Sequence, residues 1–251
     1  MPYQEERVTS VRRWSDKTFT FTTTRPQMLQ FENGQFVTIG LRPEGSKLIA
    51  RAYSIVSTAE DDHLEFLSIH VPDGPLTSRL ANVREGESVW VNTKTTGSLT
   101  VGHVQPGRHL FMIATGTGLA PFVSLVRGRE VYDAFERVIL VHSVRTAQEL
   151  AYREELTARS GDRLLYVPTV TREPFETPER GADLFRSGEL TRRLALPDVD
   201  MAQDRVMLCG NPNMNREMRA HLESIGGVMT SYKGVGTFTV EQAFVLHHTG
   251  D

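Results

Sequence analysis

Residues 51–57 read Arg51-Ala52-Tyr53-Ser54-Ile55-Val56-Ser57 and are the most informative segment of this 251-residue chain. Side chains of a strand alternate between its two faces, and we expect the arginine, the tyrosine and the serine of this segment to project together from one of them. That face would carry a cation, an aromatic plane and a small hydroxyl group. The combination suits a ligand that has both a phosphate and a flat polar ring.

Short strands surround this segment over residues 1–103. Apolar side chains alternate with polar ones in several short runs, and turn-forming pairs such as Asn33-Gly34 and Glu85-Gly86 separate these runs. The alternating runs are 18–23, 35–41, 63–71 and 88–92. Many short strands at regular spacing predict an antiparallel barrel or sandwich.

The pattern changes after Pro106-Gly107. Continuous apolar runs, typical of buried parallel strands, occur at 109–114, 137–142, 164–170 and 205–210. Helical patterns lie at 121–128, 147–160 and 212–225. Strand–helix alternation predicts an open parallel α/β sheet with right-handed crossovers. We therefore divide the chain into an antiparallel domain over 1–103 and an α/β domain over 104–251.

A glycine-rich turn follows the first apolar run, in Ala114-Thr115-Gly116-Thr117-Gly118-Leu119-Ala120-Pro121. Glycines let the main chain approach a pyrophosphate, and the N-terminus of the following helix favours negative charge. A tight strand–helix connection without a ligand is the alternative, which the strand–turn–helix context disfavours. Together with residues 51–57, this turn predicts two nucleotide sites, as expected of a protein that passes electrons between two cofactors.

The residues after the second apolar run indicate which dinucleotide would bind. No acidic residue lies at the end of that run, where it could bind a ribose hydroxyl. The end of the strand instead reads Val141-His142-Ser143-Val144-Arg145. An arginine at this place can bind a 2′-phosphate, which favours NADP over NAD. Arg172 follows the third run at the same edge of the sheet, and Arg180 lies in the loop beyond it. The alternative is that these arginines are solvated loop residues.

Two further turns carry weaker signals. Cys209-Gly210-Asn211-Pro212 again joins a strand to a helix, where Cys209 either contacts a nicotinamide or is a small buried hydrophobe. In Gly74-Pro75-Leu76-Thr77-Ser78, we expect Thr77 and Ser78 to cap a helix whose amides point at a diphosphate. An ordinary turn with a cap is the alternative reading.

Composition excludes several classes of protein. The net charge of −3 gives no basic footprint for nucleic acid, and no apolar run approaches the ~20 residues of a membrane span. The single cysteine, Cys209, excludes a cysteine-ligated iron–sulfur cluster, which needs about four thiolates, and it fits a reducing cytoplasm. No spacing resembles a metal site or a hydrolase nucleophile elbow, and the N-terminus has no signal-peptide apolar core.

Together these motifs resemble those of the bacterial ferredoxin–NADP(+) reductases over essentially the whole chain. The segments that carry the resemblance are Arg51-Ala52-Tyr53-Ser54, Asp73-Gly74-Pro75-Leu76-Thr77-Ser78, Thr96-Gly97-Ser98-Leu99, 114–122, 141–145, Thr171-Arg172-Glu173-Pro174, 209–214 and 240–245. The resemblance implies a two-domain fold, in which an antiparallel β-barrel binds FAD and an α/β domain with a parallel sheet binds NADP(H).

The resemblance also assigns roles to residues. Arg51 would hold the FAD pyrophosphate, Tyr53 would pack on the isoalloxazine and Ser54 would hydrogen-bond near flavin N5. Thr77 would help to bind the diphosphate, while Thr117 and Cys209 would line the path of the nicotinamide. The 2′-phosphate would be bound by Arg145, Arg172 and Arg180. The remaining cofactor-binding residues on this assignment are Ala52, His70, Val71, Leu76, Ser78, Gly116 and Gly118, and the catalytic group is Ser54, Cys209, Glu241 and Ala243.

The C-terminal segment departs from the plastid members of the family, which end in a tyrosine stacked on the flavin. Here Ala243-Phe244-Val245 occupies the corresponding place, and Leu246 to Asp251 follow. The resemblance implies a tail that returns to the flavin, with Ala243 facing the isoalloxazine and Phe244 among the cofactor-binding residues. The extension would reach the adenine side of FAD, and the small Ala243 would leave the flavin face less guarded.

The implied activity is a relay, in which NADPH gives a hydride to FAD N5 and the flavin releases single electrons through a semiquinone to ferredoxin or flavodoxin. We expect a monomeric, cytoplasmic enzyme that docks its acidic carrier on basic residues such as Arg12, Arg13 and Lys17, unless these charges are simply solvated. Three alternatives remain: an NADPH-dependent flavin reductase component of an oxygenase, an FAD-bearing electron-transfer subunit of a larger complex, and a ligand-binding barrel with a structural appendage. The single cysteine weakens the first two, because their relatives often use a cysteine-ligated cluster.

Overall fold

The first half of the chain folds into a six-stranded antiparallel sheet. A computed structural model describes residues 3–242 of the protein. The strands of this sheet are β1 (Tyr3–Arg13), β2 (Thr18–Thr24), β3 (Phe36–Leu41), β4 (Ile49–Ser54), β5 (His63–Ile69) and β6 (Ser88–Thr96). Their order is β4-β3-β6-β1-β2-β5, so β4 and β5 are the two edges. A bridge between Ile55, just past β4, and Phe66 of β5 joins these edges at one point and curls the sheet into a barrel.

Alternating apolar side chains fill the barrel. Phe21 of β2 and Phe66 of β5 are fully buried, and their ring centroids lie 5.3 Å apart. The short helix α1 (Thr77–Leu80) adds Leu80 and the preceding Leu76 to the same core. The sequence did not predict β1, because most of its side chains are polar or charged and face solvent.

The second half forms a five-stranded parallel sheet in the order β11-β10-β7-β8-β9. Its strands are β7 (His109–Thr115), β8 (Arg137–Val144), β9 (Leu164–Val170), β10 (Arg205–Gly210) and β11 (Phe238–Gln242). The helices are α2 (Ala120–Arg127), α3 (Glu130–Ala134), α4 (Arg153–Arg159), α5 (Gly181–Arg186), α6 (Glu189–Arg193) and α7 (Pro212–Ser224), with 3-10 helices at Val101–His103, Gly116–Leu119 and Ala147–Glu149. Met112 and Ile113 of β7 belong to separate buried clusters, because helices cover both faces of the sheet.

The order of the parallel strands reverses at β7. The chain adds β8 and β9 on one side of β7, and then places β10 on the other side. Ligands of open α/β sheets bind at the carboxyl ends of the strands where such a reversal occurs. The topology therefore places a ligand site in the crevice between the ends of β7 and β10.

The barrel and the parallel sheet share one core and a charged contact. Arg127 of α2 donates to Glu65 of β5 at 2.6 Å and to Glu155 of α4 at 2.8 Å. The rings of Trp14 and Tyr152 lie 4.9 Å apart across the same boundary. Three barrel residues join the buried cluster of α2 and β7, namely Val56, Leu67 and Leu99. The predicted division between residues 103 and 104 falls between β6 and β7 and stays a prediction.

One predicted helix is interrupted. The pattern over 147–160 predicts a single helix, whereas the structure has a 3-10 helix at Ala147–Glu149 and then α4. Between them Tyr152 adopts a left-handed φ of 59° and buries its ring, so tertiary packing overrides the local helical pattern. The sequence also missed β11, α3, α5 and α6. None of the helices within residues 3–242 combines the length and the apolar character that crossing a bilayer demands.

Candidate functional site

The glycine turn lies at the reversal of the sheet, directly after β7. Gly116 has a left-handed φ of 53° and is exposed. Gly118 is buried against β10, where an added Cβ would lie 2.3 Å from the carbonyl oxygen of Cys209. A side chain at residue 118 would therefore push the turn away from β10. The exposed main chain at residue 116 precedes α2, an arrangement that fits a pyrophosphate group.

A buried histidine holds this turn in place. His142 of β8 is fully buried, and its Nε2–H donates to the carbonyl oxygen of Gly116 at 3.1 Å. Burial lowers the pKa of His142 to about 4, against a weaker opposing effect of the hydrogen bond to Gly116. The imidazole is therefore neutral at neutral pH. The sequence analysis did not assign a role to His142. Its place within a continuous apolar run was the one sequence feature that could have indicated a buried, hydrogen-bonded histidine.

The end of β10 forms the second wall of the crevice. The backbone N–H of Asn211 donates to Thr115 Oγ1 at 2.7 Å, which joins the turn after β10 to the end of β7. Cys209 is buried beside Ala114 of β7 and Glu241 of β11 in the strand register. Burial, reinforced by the negative charge of Glu241, raises the pKa of the Cys209 thiol. Cys209 is thus a neutral thiol and a poor nucleophile.

Glu241 links the parallel sheet to the barrel. The Glu241 Oε1 atom accepts hydrogen bonds from the backbone N–H and, at 3.2 Å, from the hydroxyl of Ser98, which follows β6. The backbone carbonyl of Glu241 accepts from Asn215 Nδ2 at 2.8 Å. Burial raises the pKa of Glu241, and the donors around it only partly offset this rise. A carboxyl group whose pKa is raised above its ordinary value therefore lies between the two domains.

Three predicted phosphate-binding arginines meet at the carboxyl ends of β8 and β9. The backbone N–H of Arg172 donates to the carbonyl of Arg145 at 2.9 Å, so these two residues are neighbours. Ser143 Oγ accepts from the N–H of Gly181 at 2.9 Å, which brings Arg180 to the same edge. The Arg180 guanidinium already binds Asp183 at 2.7 Å and Glu217 at 3.5 Å.

The other two arginines are free to bind a ligand. Arg145 and Arg172 are exposed. Neither guanidinium has a hydrogen bond or ion pair with any residue in the part of the chain that the structure describes. Two exposed, unpaired arginines whose main chains are hydrogen-bonded neighbours suit a dianionic phosphate. Arg180 contributes less to such a site, because its charge is already partly neutralised.

The segment at 51–57 lies at the edge of the barrel. Arg51 and Tyr53 occupy alternate positions of β4 and so share a face, but Ser54 is adjacent to Tyr53 and points to the opposite face. The prediction of one face for all three side chains is therefore wrong. Arg51 is exposed, and its Nη1 donates to the Ala50 carbonyl at 2.7 Å. Ala52 is also exposed.

Tyr53 is fixed by its surroundings. The hydroxyl groups of Tyr53 and Ser68 form a hydrogen bond of 3.1 Å, and the Tyr53 ring meets Phe66 edge-on with centroids 6.3 Å apart. Burial raises the pKa of Tyr53, outweighing the effects of the Ser68 hydrogen bond and the Arg51 charge. Tyr53 is therefore a neutral phenol with a fixed ring, as a stacking platform for a flat ligand requires.

The predicted diphosphate turn differs from the expectation. The helix α1 begins at Thr77, and no side chain caps it. The Thr77 hydroxyl instead donates to the Val71 carbonyl at 3.3 Å and the Ser78 hydroxyl to the Gly74 carbonyl at 2.7 Å. The prediction that Thr77 and Ser78 cap a helix is thus wrong, because both hydroxyls bond to the turn that precedes it.

The remaining residues assigned by resemblance fall into three groups. Val71 is exposed, whereas His70 and Thr117 are partly buried and near the surface. Leu76 is 1% exposed, so only its main chain can reach a ligand. Ala243, Phe244 and the tail Leu246 to Asp251 lie outside the described residues.

Comparison with known proteins agrees with this geometry. Residues 7–100 match the family described as "Oxidoreductase FAD-binding domain", and residues 112–220 match "Oxidoreductase NAD-binding domain". The chain is 46% identical over 251 residues to the ferredoxin–NADP reductase of Azotobacter vinelandii, with 96% of this chain and 97% of that protein covered. It is 43% identical over 248 residues to the flavodoxin/ferredoxin–NADP reductase of Rhodobacter capsulatus, with 95% and 92% covered.

A solved structure matches the whole fold. The ferredoxin NADP+ reductase from Neisseria gonorrhoeae with bound FAD and NADP superposes with a TM-score of 0.92 at 30% identity, covering 97% of this chain and 100% of that chain. The likeness covers both the barrel and the parallel sheet, which confirms the resemblance that the motifs predicted. The chain therefore belongs to the ferredoxin–NADP reductase family of flavin-dependent oxidoreductases.

Proposed function

We propose that this protein transfers electrons between NADPH and a one-electron carrier, ferredoxin or flavodoxin, with FAD between them. One arrangement carries the proposal. The glycine turn after β7 lies beside Cys209, and Glu241, the register neighbour of Cys209, is hydrogen-bonded to Ser98 of the barrel. A nucleotide bound on the turn and a flat ring bound on the barrel edge would then share one crevice.

Bound FAD supplies the chemistry that side chains lack, which is the exchange of a two-electron hydride for single electrons. Arg51, exposed on the edge strand, binds the pyrophosphate. The Tyr53 hydroxyl is occupied by Ser68, so Tyr53 offers its ring face to the isoalloxazine. The role of Ser54 near flavin N5 rests on the sequence resemblance alone, since its side chain points away from the face that carries Arg51 and Tyr53.

Hydride transfer depends on the orientation of two rings rather than on a strong acid or base. The main chain at Gly116–Gly118 and the N-terminus of α2 bind the pyrophosphate of the nicotinamide nucleotide. Cys209 is 1% exposed, so only its main chain can reach the nicotinamide, whereas the partly buried Thr117 lines the path of that ring. Arg145 and Arg172 bind the 2′-phosphate, which makes NADPH the preferred donor.

Several finer points belong to the same proposal. The enzyme works as a monomer in the cytoplasm and accepts either carrier. The acidic carrier docks near Arg12, Arg13 and Lys17, which are all exposed. Arg13 also donates to the Ala81 carbonyl at 2.6 Å. The roles assigned to Ala243 and Phe244 rest on the sequence resemblance alone.

Anaerobic rapid mixing of the FAD-loaded protein with NADPH, and separately with NADH, tests the proposal. We expect NADPH to bleach the flavin absorbance much faster than NADH. Adding oxidised ferredoxin or flavodoxin to the bleached protein should then restore the absorbance. Absence of bleaching with either nucleotide would contradict the proposal, and equal bleaching with both would favour a flavin reductase component of an oxygenase.

A further inference from the structure

The loop that follows β6 contributes a side chain to the crevice that the sequence analysis did not assign. Ser98 lies in this loop, 143 residues before Glu241 in the chain. Its hydroxyl donates to Glu241 Oε1 at 3.2 Å and accepts a hydrogen bond from Thr239 Oγ1 at 3.0 Å. Ser98 therefore has a donor and an acceptor on β11, and both contacts cross the boundary between the domains.

The surrounding strands place this contact at the reacting end of the crevice. In the barrel, Phe36 of β3 pairs with Thr96 on one side and with Ser54 on the other. In the parallel sheet, Glu241 pairs with Cys209. The Glu241 carboxylate thus lies between the end of β10 and the barrel strands that lead to Ser54.

The backbone around Ser98 leaves little room for the carboxylate to move. Gly97 has a positive φ of 136°, and an added Cβ there would lie 3.2 Å from Glu241 Oε1 and 3.2 Å from the Phe36 ring. The loop therefore packs directly against the carboxylate. The Ser98 backbone N–H also donates to the same oxygen atom.

We propose that Ser98 is a positioning residue, which holds the Glu241 carboxylate at the junction of the two domains where the flavin and the nicotinamide would meet. The inference rests on the proposed function for its catalytic consequence. Ser98 donates to Glu241 Oε1 from both its backbone N–H and its hydroxyl, so it stabilises the charged carboxylate against uptake of a proton. The packing of the barrel on the parallel sheet thereby alters the proton affinity of Glu241, a side chain of β11.

The groups that face Glu241 define the expected effect of removing the hydroxyl. Burial raises the pKa of Glu241, while the donors from Ser98, the backbone N–H of Leu99 and the positive potential of His103 lower it. Cys209 is the other titratable group facing the carboxylate, and it is a neutral thiol. Loss of the Ser98 hydroxyl removes a hydrogen bond to the charged form, so the pKa of Glu241 should rise further.

Infrared titration of the FAD-loaded protein tests the proposal directly. The carboxylic acid C=O stretch of Glu241 is identified as the band that Glu241→Gln removes. We expect Ser98→Ala to raise the pH at which this band disappears by about one pH unit. Ser98→Thr keeps the hydroxyl group and should titrate as the wild type does. Ser160→Ala is the matched control, since Ser160 also donates to a carbonyl, that of Leu164 at 3.1 Å, but lies far from the crevice.

The outcomes separate the two proposals. A band titration in Ser98→Ala that matches wild type would overturn the role of Ser98, whatever the effect on stability. Ser98→Cys, with a weaker donor, provides a second variant and should shift the titration in the same direction by less. The titration requires no NADPH, so its result stands independently of flavin bleaching. If the proposed function also holds, the acidic limb of the bleaching rate should move up by the same amount in Ser98→Ala, with the Michaelis constant for NADPH unchanged.

Discussion

The Nε2–H of His142 donates to the Gly116 carbonyl at 3.1 Å, so a buried side chain of β8 fixes the first glycine of the nucleotide-binding turn. Burial disfavours the charged imidazole and lowers the pKa of His142 to about 4. The side chain that fixes the turn is therefore one whose protonation is unfavourable in the folded chain.

The pH dependence of stability should report this contact. Since the pKa of His142 is lower in the folded chain than its ordinary value, the unfolded chain binds more protons below about pH 6.5, and the free energy of unfolding falls as the pH drops toward 4. We expect His142 to account for a loss of about 2 kcal/mol between pH 7 and pH 5. Urea unfolding of wild type and His142→Gln measures it. The variant keeps an N–H donor without titrating, so an unchanged pH slope would contradict this account.

Arg51→Ala should loosen FAD while leaving the α/β domain folded. Loss of a charge-assisted contact to the pyrophosphate predicts a rise of about 10- to 100-fold in the dissociation constant. Flavin fluorescence on dilution measures the affinity, and circular dichroism checks the fold. Arg7→Ala is the control, because Arg7 is exposed on β1, away from the edge strand. An FAD affinity within twofold of wild type would exclude Arg51 from the site.

Arg145→Ala should change the choice of nucleotide. We expect the Michaelis constant for NADPH to rise about 10- to 100-fold and that for NADH to stay the same, since NADH lacks the 2′-phosphate. Arg180→Ala should have a smaller effect, because Asp183 and Glu217 already bind its guanidinium. Steady-state kinetics with both nucleotides checks this, and an equal loss with NADH would show that Arg145 acts on the fold rather than on the phosphate.

Arg127→Gln should weaken the boundary between the domains. The change leaves Glu65 and Glu155, whose side chains are 16% and 29% exposed, without their shared cation. We expect a loss of about 3 kcal/mol in the free energy of unfolding. Arg159→Gln removes an exposed partner of the same Glu155 and should cost well under ~1 kcal/mol. Urea denaturation compares the two, and similar losses would mean that the interdomain pair is no more stabilising than a surface one.

The two glycines of the turn should respond differently to substitution. Gly118→Ala places a Cβ against the Cys209 carbonyl, whereas Gly116 has open space and a φ of 53° that asparagine tolerates. We expect Gly118→Ala to impair NADPH binding and stability markedly, and Gly116→Asn to fold with a modest loss of stability. Calorimetry and nucleotide titration distinguish them, and the reverse order of effects would contradict the geometry.

Local patterns in the sequence predicted the fold because both sheets rest on short-range regularities. Alternation identified β2, β3, β5 and β6, and apolar runs identified β7 to β10. The arginines after β8 and β9 could be grouped in advance, because parallel strands bring their carboxyl ends to one edge. The family, its oxidoreductase activity and its two nucleotides followed from the order of the motifs, and the comparisons confirm them.

Contacts between distant residues could not be predicted in this way. The bond from Ser98 to Glu241 spans 143 residues and exists only because the barrel packs on β11. The role of His142 depends on which loop lies over the end of β8. The hydroxyls of Thr77 and Ser78 were misread as caps, because a serine or threonine beside a turn can also donate to the preceding carbonyls. Tertiary packing determines which partner each of these side chains bonds to.

The position of β11 has a consequence for synthesis of the protein. The strands β1–β6 and β7–β10 leave the ribosome before residues 238–242, and domains generally fold in the order in which they emerge. The carboxylate of Glu241 reaches Ser98 only after β11 has added to the edge of β10. Translation therefore completes the crevice last, and a nascent chain that already has a barrel and four parallel strands still lacks one wall of its redox site.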